Sequence, residues 1–541
     1  MSGRSTPRST PSTSRPRAVA SKPLRLSLTL SGGASLGAFE AGAAAALITG
    51  WRHLRSEEDV DASIDSIGGA SAGAIVGLFS AHCVLSGADP VALLREAWVE
   101  KVSLSLLRGR TADAPLSFGE LREDLPELFE DHLPEPDKAQ DRPLSLQISL
   151  TGLRGFAYPI EGRARSEPIR GVTYADWGRF ELEPGGDTKQ LLEPKGSAPL
   201  DFVLASASSP GGFAPALVDR SEDAEAYGKR GIEDFPDDAR LWYTDGGLVA
   251  SQPIGRTFAA GRLLHGAEPD AQHLNILIDP RSEVSAGEEP WADPEAKLSW
   301  QTGTSRALAI LSQQDLFEDL RRIEKDNSRL GWIDDLVEAL SPSLRKGAGA
   351  KLREFIEGVR EERGEMRSDE PELDDSEKEL AEMNAAELLR CAVLETAGLQ
   401  GKHALRLDVI SPLILADDGD PKSLLAGEFM GDFGGFLSEE LRSSDFNLGY
   451  KAAAAWLERG LPECDLPDGA AESALAAVRA AAPPGKAGGR GEAEAGDLSI
   501  ADRLQIVRLA AHTARVAGSG WLDLRSRIPD PIGRFLSRER D

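Results

Sequence analysis

Two strand–glycine–helix units near the start of the chain constrain its fold more than any other feature. In the first, "LRLSLTLS" alternates leucine with other residues from Leu24 to Leu30, as a strand does, before "GGASLG" and the alanine-rich "AFEAGAAAALITGW". In the second, "IDSIGG" precedes the apolar stretch "AGAIVGLFSAHCVL". Two such units in succession predict an α/β fold with a layered sheet.

The pattern of the remaining chain divides it into five parts. Strand-like stretches recur at 143–153, 156–162, 239–249 and 273–280, a helix that stops at Pro210 is predicted within 200–218, and the chain is mainly helical beyond residue 290. We therefore predict a disordered basic tail (1–23), an α/β core (24–284), a mainly helical extension with a returning strand near 405–414 (285–464), a low-complexity linker (465–498), and a C-terminal helix and tail (499–541).

Composition excludes several classes of function. The formal net charge of −28 disfavours nucleic-acid binding and broad adhesion to an anionic membrane, because both surfaces repel a strongly acidic protein. The sequence contains no run of about 20 apolar residues, so it predicts no membrane-spanning helix. The three cysteines are far apart and lack metal-ligand spacing, which indicates reduced thiols and a cytoplasmic location.

A serine between two glycines is the first candidate for chemistry. Gly69, Ser71 and Gly73 match the pattern G-x-S-x-G, with a predicted strand before it and a predicted helix after it. In that context the pattern is typical of a nucleophile elbow, in which a sharp turn presents the serine hydroxyl. The alternative is close packing of small residues without chemistry.

An acid group is the second candidate. Asp245 ends a predicted strand and is followed by Gly246 and Gly247, and active-site residues of open α/β sheets cluster at the carboxyl ends of strands. Partial burial would raise its pKa enough for it to accept the serine proton. A plain Asp-Gly-Gly turn is one alternative, and a histidine base at His265 or His273 is another.

The third candidate is the glycine-rich loop after the first strand. It contains Gly32, Gly33, Ala34 and Gly37, and it fits neither the Walker phosphate-binding pattern nor the dinucleotide-binding pattern. Its backbone N–H groups could instead form an oxyanion hole for acyl transfer. No histidine–cysteine cluster or dense aspartate pattern lies near these motifs, so we expect neither a metal nor another cofactor.

Together these stretches resemble the three signatures of patatin-like phospholipases. "LTLSGGASLGAFEAG", "GASAG" and "DGGLVASQPI" occur in the family's order, and "ASASSPGGFAPA" (205–216) is similar to a stretch that the family carries before its aspartate. Residues 427–457 resemble a closing segment of some large bacterial members. The resemblance implies a three-layer α/β/α core with a mostly parallel sheet and a Ser71–Asp245 dyad without histidine. It further implies an oxyanion loop at 32–37 and hydrolysis of phospholipids or other acyl esters.

The loop departs from the family pattern at two positions. Ala34 stands where the family has a third glycine, and Leu36 stands where it has arginine or lysine. The backbone donor at Ala34 survives if its φ stays negative. Because Leu36 carries no charge, it cannot make the contact to an anionic headgroup that arginine or lysine could make. Whether this lowers the hydrolytic activity stays open.

The expected partner is a lipid or acyl-ester substrate. Peripheral contact with a membrane could use residues 520–540, which mix apolar side chains with five arginines. Two prolines shorten any helix in this segment, so packing on the protein body is the favoured explanation. A catalytically weak or inactive scaffold of the same fold, a lipid-binding protein and an acyltransferase stay open as alternatives. The pattern does not predict an oligomeric state, an acyl-chain length or a headgroup.

Overall fold

The computed structural model describes residues 21–487 apart from several gaps. The gaps are 104–105, 108–113, 133, 161–168, 211, 230–231, 233, 267, 269, 282–294, 296–299, 345–346, 365–379, 381–382, 400–404, 416–424 and 428–431. For residues 158–160, 169–170, 229, 300–319 and 360–364 the structure describes the backbone alone. Most of the predicted basic tail and all of the predicted C-terminal helix and tail lie outside the described residues.

The two predicted strand–glycine–helix units are present. The first is β1 (Leu24–Leu30) followed by α1 (Gly37–Ser56), and the second is β2 (Ala62–Gly69) followed by α2 (Ala72–Ser86). Every residue of β1 and β2 is buried. Burial on both faces is typical of central strands in a parallel sheet that is covered by helices on each side.

Eight strands of the described residues form one sheet. The further strands are β3 (Leu144–Ile160), β4 (Ile169–Leu182), β5 (Ala216–Asp219), β6 (Arg240–Thr244), β7 (Gln272–Ile278) and β8 (Leu407–Ile410). Their order is β5-β6-β3-β2-β1-β7-β8, and β4 pairs with β3. Strands β3, β2, β1, β7 and β8 are parallel to their neighbours in this order, whereas β4 and β6 run antiparallel to β3 and β5 runs antiparallel to β6.

The register aligns the carboxyl ends of the central strands. Leu30 at the end of β1 lies opposite Gly69 of β2 and Ile278 of β7, and Gly69 lies opposite Ile148 of β3. The loops that leave β1, β2 and β7 therefore meet at one edge of the sheet, where ligands bind in open α/β folds.

Helices cover both faces of this sheet. The remaining helices are α3 (Pro90–Arg95), α4 (Gly119–Asp131), α5 (Lys189–Leu192), α6 (Pro199–Ser206), α7 (Ala224–Lys229), α8 (Ile254–His265), α9 (Trp300–Leu340), α10 (Ala348–Gly364), α11 (Ala385–Ala397), α12 (Glu439–Gly460) and α13 (Ala470–Ala480). Helix α2 faces Ile67 of β2 through Gly77, whereas α8 faces Ser66 through Gly261. Since consecutive strand residues point to opposite faces, these two helices lie on opposite sides, and the predicted α/β fold with its mostly parallel sheet is confirmed.

The region after residue 285 packs on the core. Strand β8 extends the sheet beyond β7, as the predicted returning strand requires, and α12 lies along α1 with unusually close backbones. A Cβ atom at Gly449 would lie 1.9 Å from the carbonyl oxygen of Phe39, and one at Gly42 would lie 1.9 Å from that of Phe446. Only glycine at these two positions allows the helices to approach so closely.

The predicted linker 465–498 is wrong over much of its described part. Helix α13 lies inside it and buries Ala470, Ala474, Leu475 and Val478 against the core, and the hydroxyl of Tyr450 on α12 donates to the carbonyl of Val478 at 2.8 Å. Alanine has the highest helix propensity, so an alanine-rich composition that suggests low complexity also favours a packed helix. The predicted strands 143–153 and 156–162 are one strand, β3.

Candidate active site

Ser71 lies at the sharp turn between β2 and α2. Its φ of 55° and ψ of −127° are strained for a residue with a side chain. The flanking glycines allow the turn, because a Cβ atom at Gly69 would lie 2.6 Å from the carbonyl carbon of Gly73, and one at Gly73 would lie 2.5 Å from the carbonyl oxygen of Leu30. The motif therefore forms an elbow rather than a helix contact.

Asp245 lies directly beside this serine. The Ser71 hydroxyl donates to Asp245 Oδ2 at 2.9 Å, although the two residues are 174 positions apart. The hydroxyl of Ser209 donates to the same oxygen, and the N–H of Gly247 donates to Oδ1 at 2.8 Å. The carboxylate is thus held by hydrogen bonds on both oxygens, with the serine hydroxyl on one of them.

Burial changes the acidity of this carboxyl group. Asp245 is only 6% exposed, and the resulting desolvation raises its pKa above the ordinary value of an aspartate. The hydrogen bonds from Ser209, Gly247 and Ser71, together with the charge of Arg281, oppose this rise without cancelling it. A raised pKa makes the carboxylate a stronger base toward the serine proton.

The glycine-rich loop lies against the elbow. A Cβ atom at Gly32 would lie 2.4 Å from the carbonyl oxygen of Ala70, so the two turns touch. The Gly32 N–H donates to Glu40 Oε1 at 2.6 Å and is therefore not available to a substrate. Within the described part of the chain, no acceptor is found for the N–H groups of Gly33, Ala34 and Ala72. Among the residues that the structure describes, these three amides thus lack an acceptor.

The condition set out for Ala34, a negative φ, is not met. Its φ is 49°, which is the left-handed conformation that glycine adopts without strain. The chain therefore keeps the backbone path of a glycine at this position and stores roughly 1–3 kcal/mol of strain there. The loop geometry, rather than the alanine side chain, sets the direction of the amide.

The remaining motif glycines support the same edge of the sheet. A Cβ atom at Gly37 would lie 2.5 Å from the Trp98 ring, and one at Gly246 would lie 2.1 Å from the carbonyl oxygen of Ser149. Each of these positions excludes a larger residue.

A cation lies at this loop even though Leu36 is apolar and fully buried. Arg281 follows β7, donates through one guanidinium nitrogen to the carbonyl of Gly32 at 3.1 Å, and lies 3.8 Å from the carboxylate of Asp432. Sequence reasoning missed Arg281. The signal that could have revealed it is its position just past the carboxyl end of a predicted strand, at the same edge as the elbow.

Two buried acids below the loop were also missed. Glu40 is fully buried and holds the Gly32 N–H, and the Ser31 hydroxyl lies 3.2 Å from both Glu40 and Asp279. Burial raises the pKa of Glu40 to about 8, opposed mainly by its hydrogen bond from Gly32. Glu40 Oε2 is buried without a partner in the described residues.

An apolar pocket opens beside Ser71. Its lining includes Ile75, Trp98, Phe118, Phe213, Phe433 and Phe436, and the Phe118 and Phe213 rings stack with centroids 4.1 Å apart. The cavity measures about 40 Å³, which is narrow beside the several hundred Å³ of typical ligand pockets. Such a lining can accommodate a hydrocarbon chain.

The histidines considered as alternative bases lie elsewhere. His273 pairs with Arg25 near the amino ends of β7 and β1, and its ring lies 3.2 Å from the carbonyl of Glu268. The His265 ring lies 3.0 Å from the carbonyl of Pro143, which precedes β3. Both residues are at the sheet edge opposite Ser71, so the alternative of a histidine base at these positions is wrong.

The described residues contain neither a metal-binding cluster nor a spanning helix. No group of three or more histidine, cysteine, aspartate or glutamate side chains among them could hold a metal ion. No helix in the described ranges is long and apolar enough to cross a bilayer.

Comparison with known proteins agrees with this architecture. A family model described as patatin-like phospholipase matches residues 28–257. The match includes the elbow, the glycine-rich loop and Asp245, and it ends before Arg281 and the C-terminal region. No curated protein matches the chain significantly.

Proposed function

Since residues 28–257 form a patatin-like phospholipase domain, we propose that this protein is a lipid acyl hydrolase in which Ser71 is the nucleophile and Asp245 is the general base. The family is one of serine hydrolases that act on lipid acyl esters. The observation that carries the assignment is the 2.9 Å hydrogen bond from the Ser71 hydroxyl to a buried carboxylate on a strained elbow.

The first half of the reaction forms an acyl-enzyme. As the Ser71 oxygen attacks the ester carbonyl, Asp245 accepts its proton, and the carbonyl oxygen becomes negative between the N–H groups of Gly33, Ala34 and Ala72. The carbon–oxygen bond to the alcohol then breaks, and the alcohol leaves with the proton that Asp245 held. The helix dipole of α2 favours the developing negative charge, because its N-terminus begins at Ala72.

The second half returns the enzyme to its starting state. Water gives a proton to Asp245 and attacks the acyl carbon, the same amides bind the second oxyanion, and Ser71 leaves with the proton. The acyl chain lies in the apolar pocket meanwhile, where Ile75 and the aromatic rings exclude water from it. No step of this cycle needs a group beyond the chain and water.

Hydrolysis of p-nitrophenyl butyrate and of mixed phospholipid vesicles tests the proposal. Ser71→Ala and Asp245→Asn are each expected to lower kcat by at least about a thousand-fold. Residues that act as one catalytic unit lose most of their rate enhancement when either member is removed. Ser473→Ala is the matched control, because this serine bonds His53 on α1 and lies outside the site. Retained hydrolysis by either site variant, in folded protein, refutes the dyad.

A comparison of Ser209 with Ser71 tests which of the two serines is the nucleophile. Its hydroxyl donates to the same Asp245 oxygen as Ser71, but it lies on the loop after α6 and not on the elbow. Ser209→Ala is expected to retain acyl-enzyme formation at a reduced rate, whereas Ser71→Ala is expected to abolish it. The reverse result would make Ser209 the nucleophile.

A further inference from the structure

One wall of the apolar pocket comes from a segment far from the other motifs in sequence. Residues 432–437, called here the 432–437 segment, precede α12 and place Phe433 and Phe436 in the lining together with Ser71. The two rings contact each other edge to face with centroids 5.6 Å apart. Phe436 is only 6% exposed, so it belongs to the packed interior as well as to the pocket.

Hydrogen bonds join this segment to the glycine-rich loop. The Ser35 N–H donates to the carbonyl of Asp432 at 2.9 Å, the Ser35 hydroxyl donates to the same carbonyl at 2.5 Å, and the Gly435 N–H donates to the Ser35 hydroxyl at 3.0 Å. Ser35 is fully buried. The aromatic wall and the candidate oxyanion amides therefore form one connected unit.

Helix α12 holds the segment in place. Arg442 is 3% exposed and donates to the carbonyl of Gly435 at 2.9 Å and to the carbonyl of Val99 at 2.7 Å. Because Val99 follows Trp98, which lines the pocket, a single guanidinium fixes two walls of the pocket relative to each other. Its donors are fixed in one plane, which suits a rigid connection.

We propose that Phe433 and Phe436 determine acyl-chain selectivity by closing the pocket to long chains. The inference rests on the proposed function and adds a substrate class to it: esters of short acyl chains. The cavity of about 40 Å³ has little room beyond the first carbons of a chain. Hydrogen bonds to Ser35 and Arg442 hold the backbone of Gly435, which lies between the two phenylalanines in sequence. Residues outside the matched domain thus set the preference of a site inside it.

The test compares p-nitrophenyl butyrate with the octanoate and dodecanoate esters. The wild-type protein is expected to prefer butyrate in kcat/KM, and Phe436→Ala and Phe433→Ala are expected to raise the octanoate-to-butyrate ratio at least about ten-fold, since even one methylene in an apolar pocket changes kcat/KM by that factor. Phe436→Leu, which keeps more of the buried side chain, is expected to shift the ratio in the same direction by less.

Phe355→Ala is the matched control, because this phenylalanine is 47% exposed on α10 and does not line the pocket. Its ratio is expected to equal that of the wild type. Butyrate hydrolysis with unchanged ratios in all three pocket variants overturns this inference and leaves the proposed function intact. A wild-type protein that hydrolyses none of the esters overturns both.

Discussion

The buried acid below the glycine-rich loop leads to a quantitative prediction about stability and pH. Glu40 is fully buried, accepts the Gly32 N–H at 2.6 Å, and lies near the like charge of Asp279. Burial raises its pKa from 4.5 to about 8 in the folded protein, whereas the unfolded chain keeps a value near 4.5. The folded state therefore binds more protons than the unfolded state between these two pH values.

The sign and size of the effect follow from linkage. Stability falls as pH rises wherever the folded state binds more protons, and each pH unit corresponds to about 1.4 kcal/mol for one full proton. Between pH 5 and pH 8 the Glu40 contribution thus sums to roughly 4 kcal/mol. The stabilisation is fully present below pH 4.5 and is lost as the pH rises through about 8.

Glu40→Gln isolates this contribution, because glutamine keeps the acceptor for Gly32 but cannot ionise. Urea unfolding followed by tryptophan fluorescence at pH 5 and pH 9 measures it. We expect the two proteins to be similarly stable at pH 5 and the variant to be more stable than the wild type by a few kcal/mol at pH 9. An equal stability difference at both pH values would show that the pKa of Glu40 is not raised in the folded protein.

Three further predictions concern the loop, the base and the helix contact. Ala34→Gly is expected to raise the free energy of unfolding by about 1 kcal/mol, because it removes the strain of a positive φ, and thermal unfolding would show it; an unchanged melting temperature contradicts the strain. The kcat/KM of ester hydrolysis is expected to fall on the acid side at a pH above the ordinary aspartate value, because the pKa of Asp245 is raised and its protonated form cannot accept the serine proton; a pH profile that stays flat down to pH 4 contradicts this. Gly449→Ala is expected to destabilise the protein strongly, since its Cβ would lie 1.9 Å from the carbonyl oxygen of Phe39, whereas Gly358→Ala, with open space around its Cβ on α10, is the control that should not.

The sequence correctly predicts those helices and strands that have a local pattern of apolar residues. The strand–glycine–helix units, β6, β7 and β8 have alternating or continuous apolar patterns bounded by glycine or proline, and each is present in the structure. Strand β4 was missed because much of it is exposed: Val172 is 55% and Tyr174 is 49% exposed, so no buried face marks it in the sequence. Helix α8 was missed as well, because Pro253 directly before it and Gly255 and Gly261 within it are residues that mark turns in a sequence.

The residues of the candidate site also divide into those that the sequence predicts and those that it does not. Ser71 and Asp245 could be proposed from the rule that side chains after parallel strands meet at one edge, and the structure brings them within hydrogen-bond distance. Phe433 and Arg442 could not be proposed, because their roles depend on packing between distant segments, as in the contact of Ser35 with Gly435, 400 positions apart. No local pattern encodes that contact.

Labelling with an alkyl fluorophosphonate, with the adduct located by mass spectrometry, shows which serine is the nucleophile and whether Asp245 activates it. We expect a single adduct on the Ser71 oxygen of the folded wild-type protein, and labelling that is slowed at least about a hundred-fold by Asp245→Asn. An adduct on Ser209, or an Asp245→Asn variant that is labelled as fast as the wild type, would contradict it.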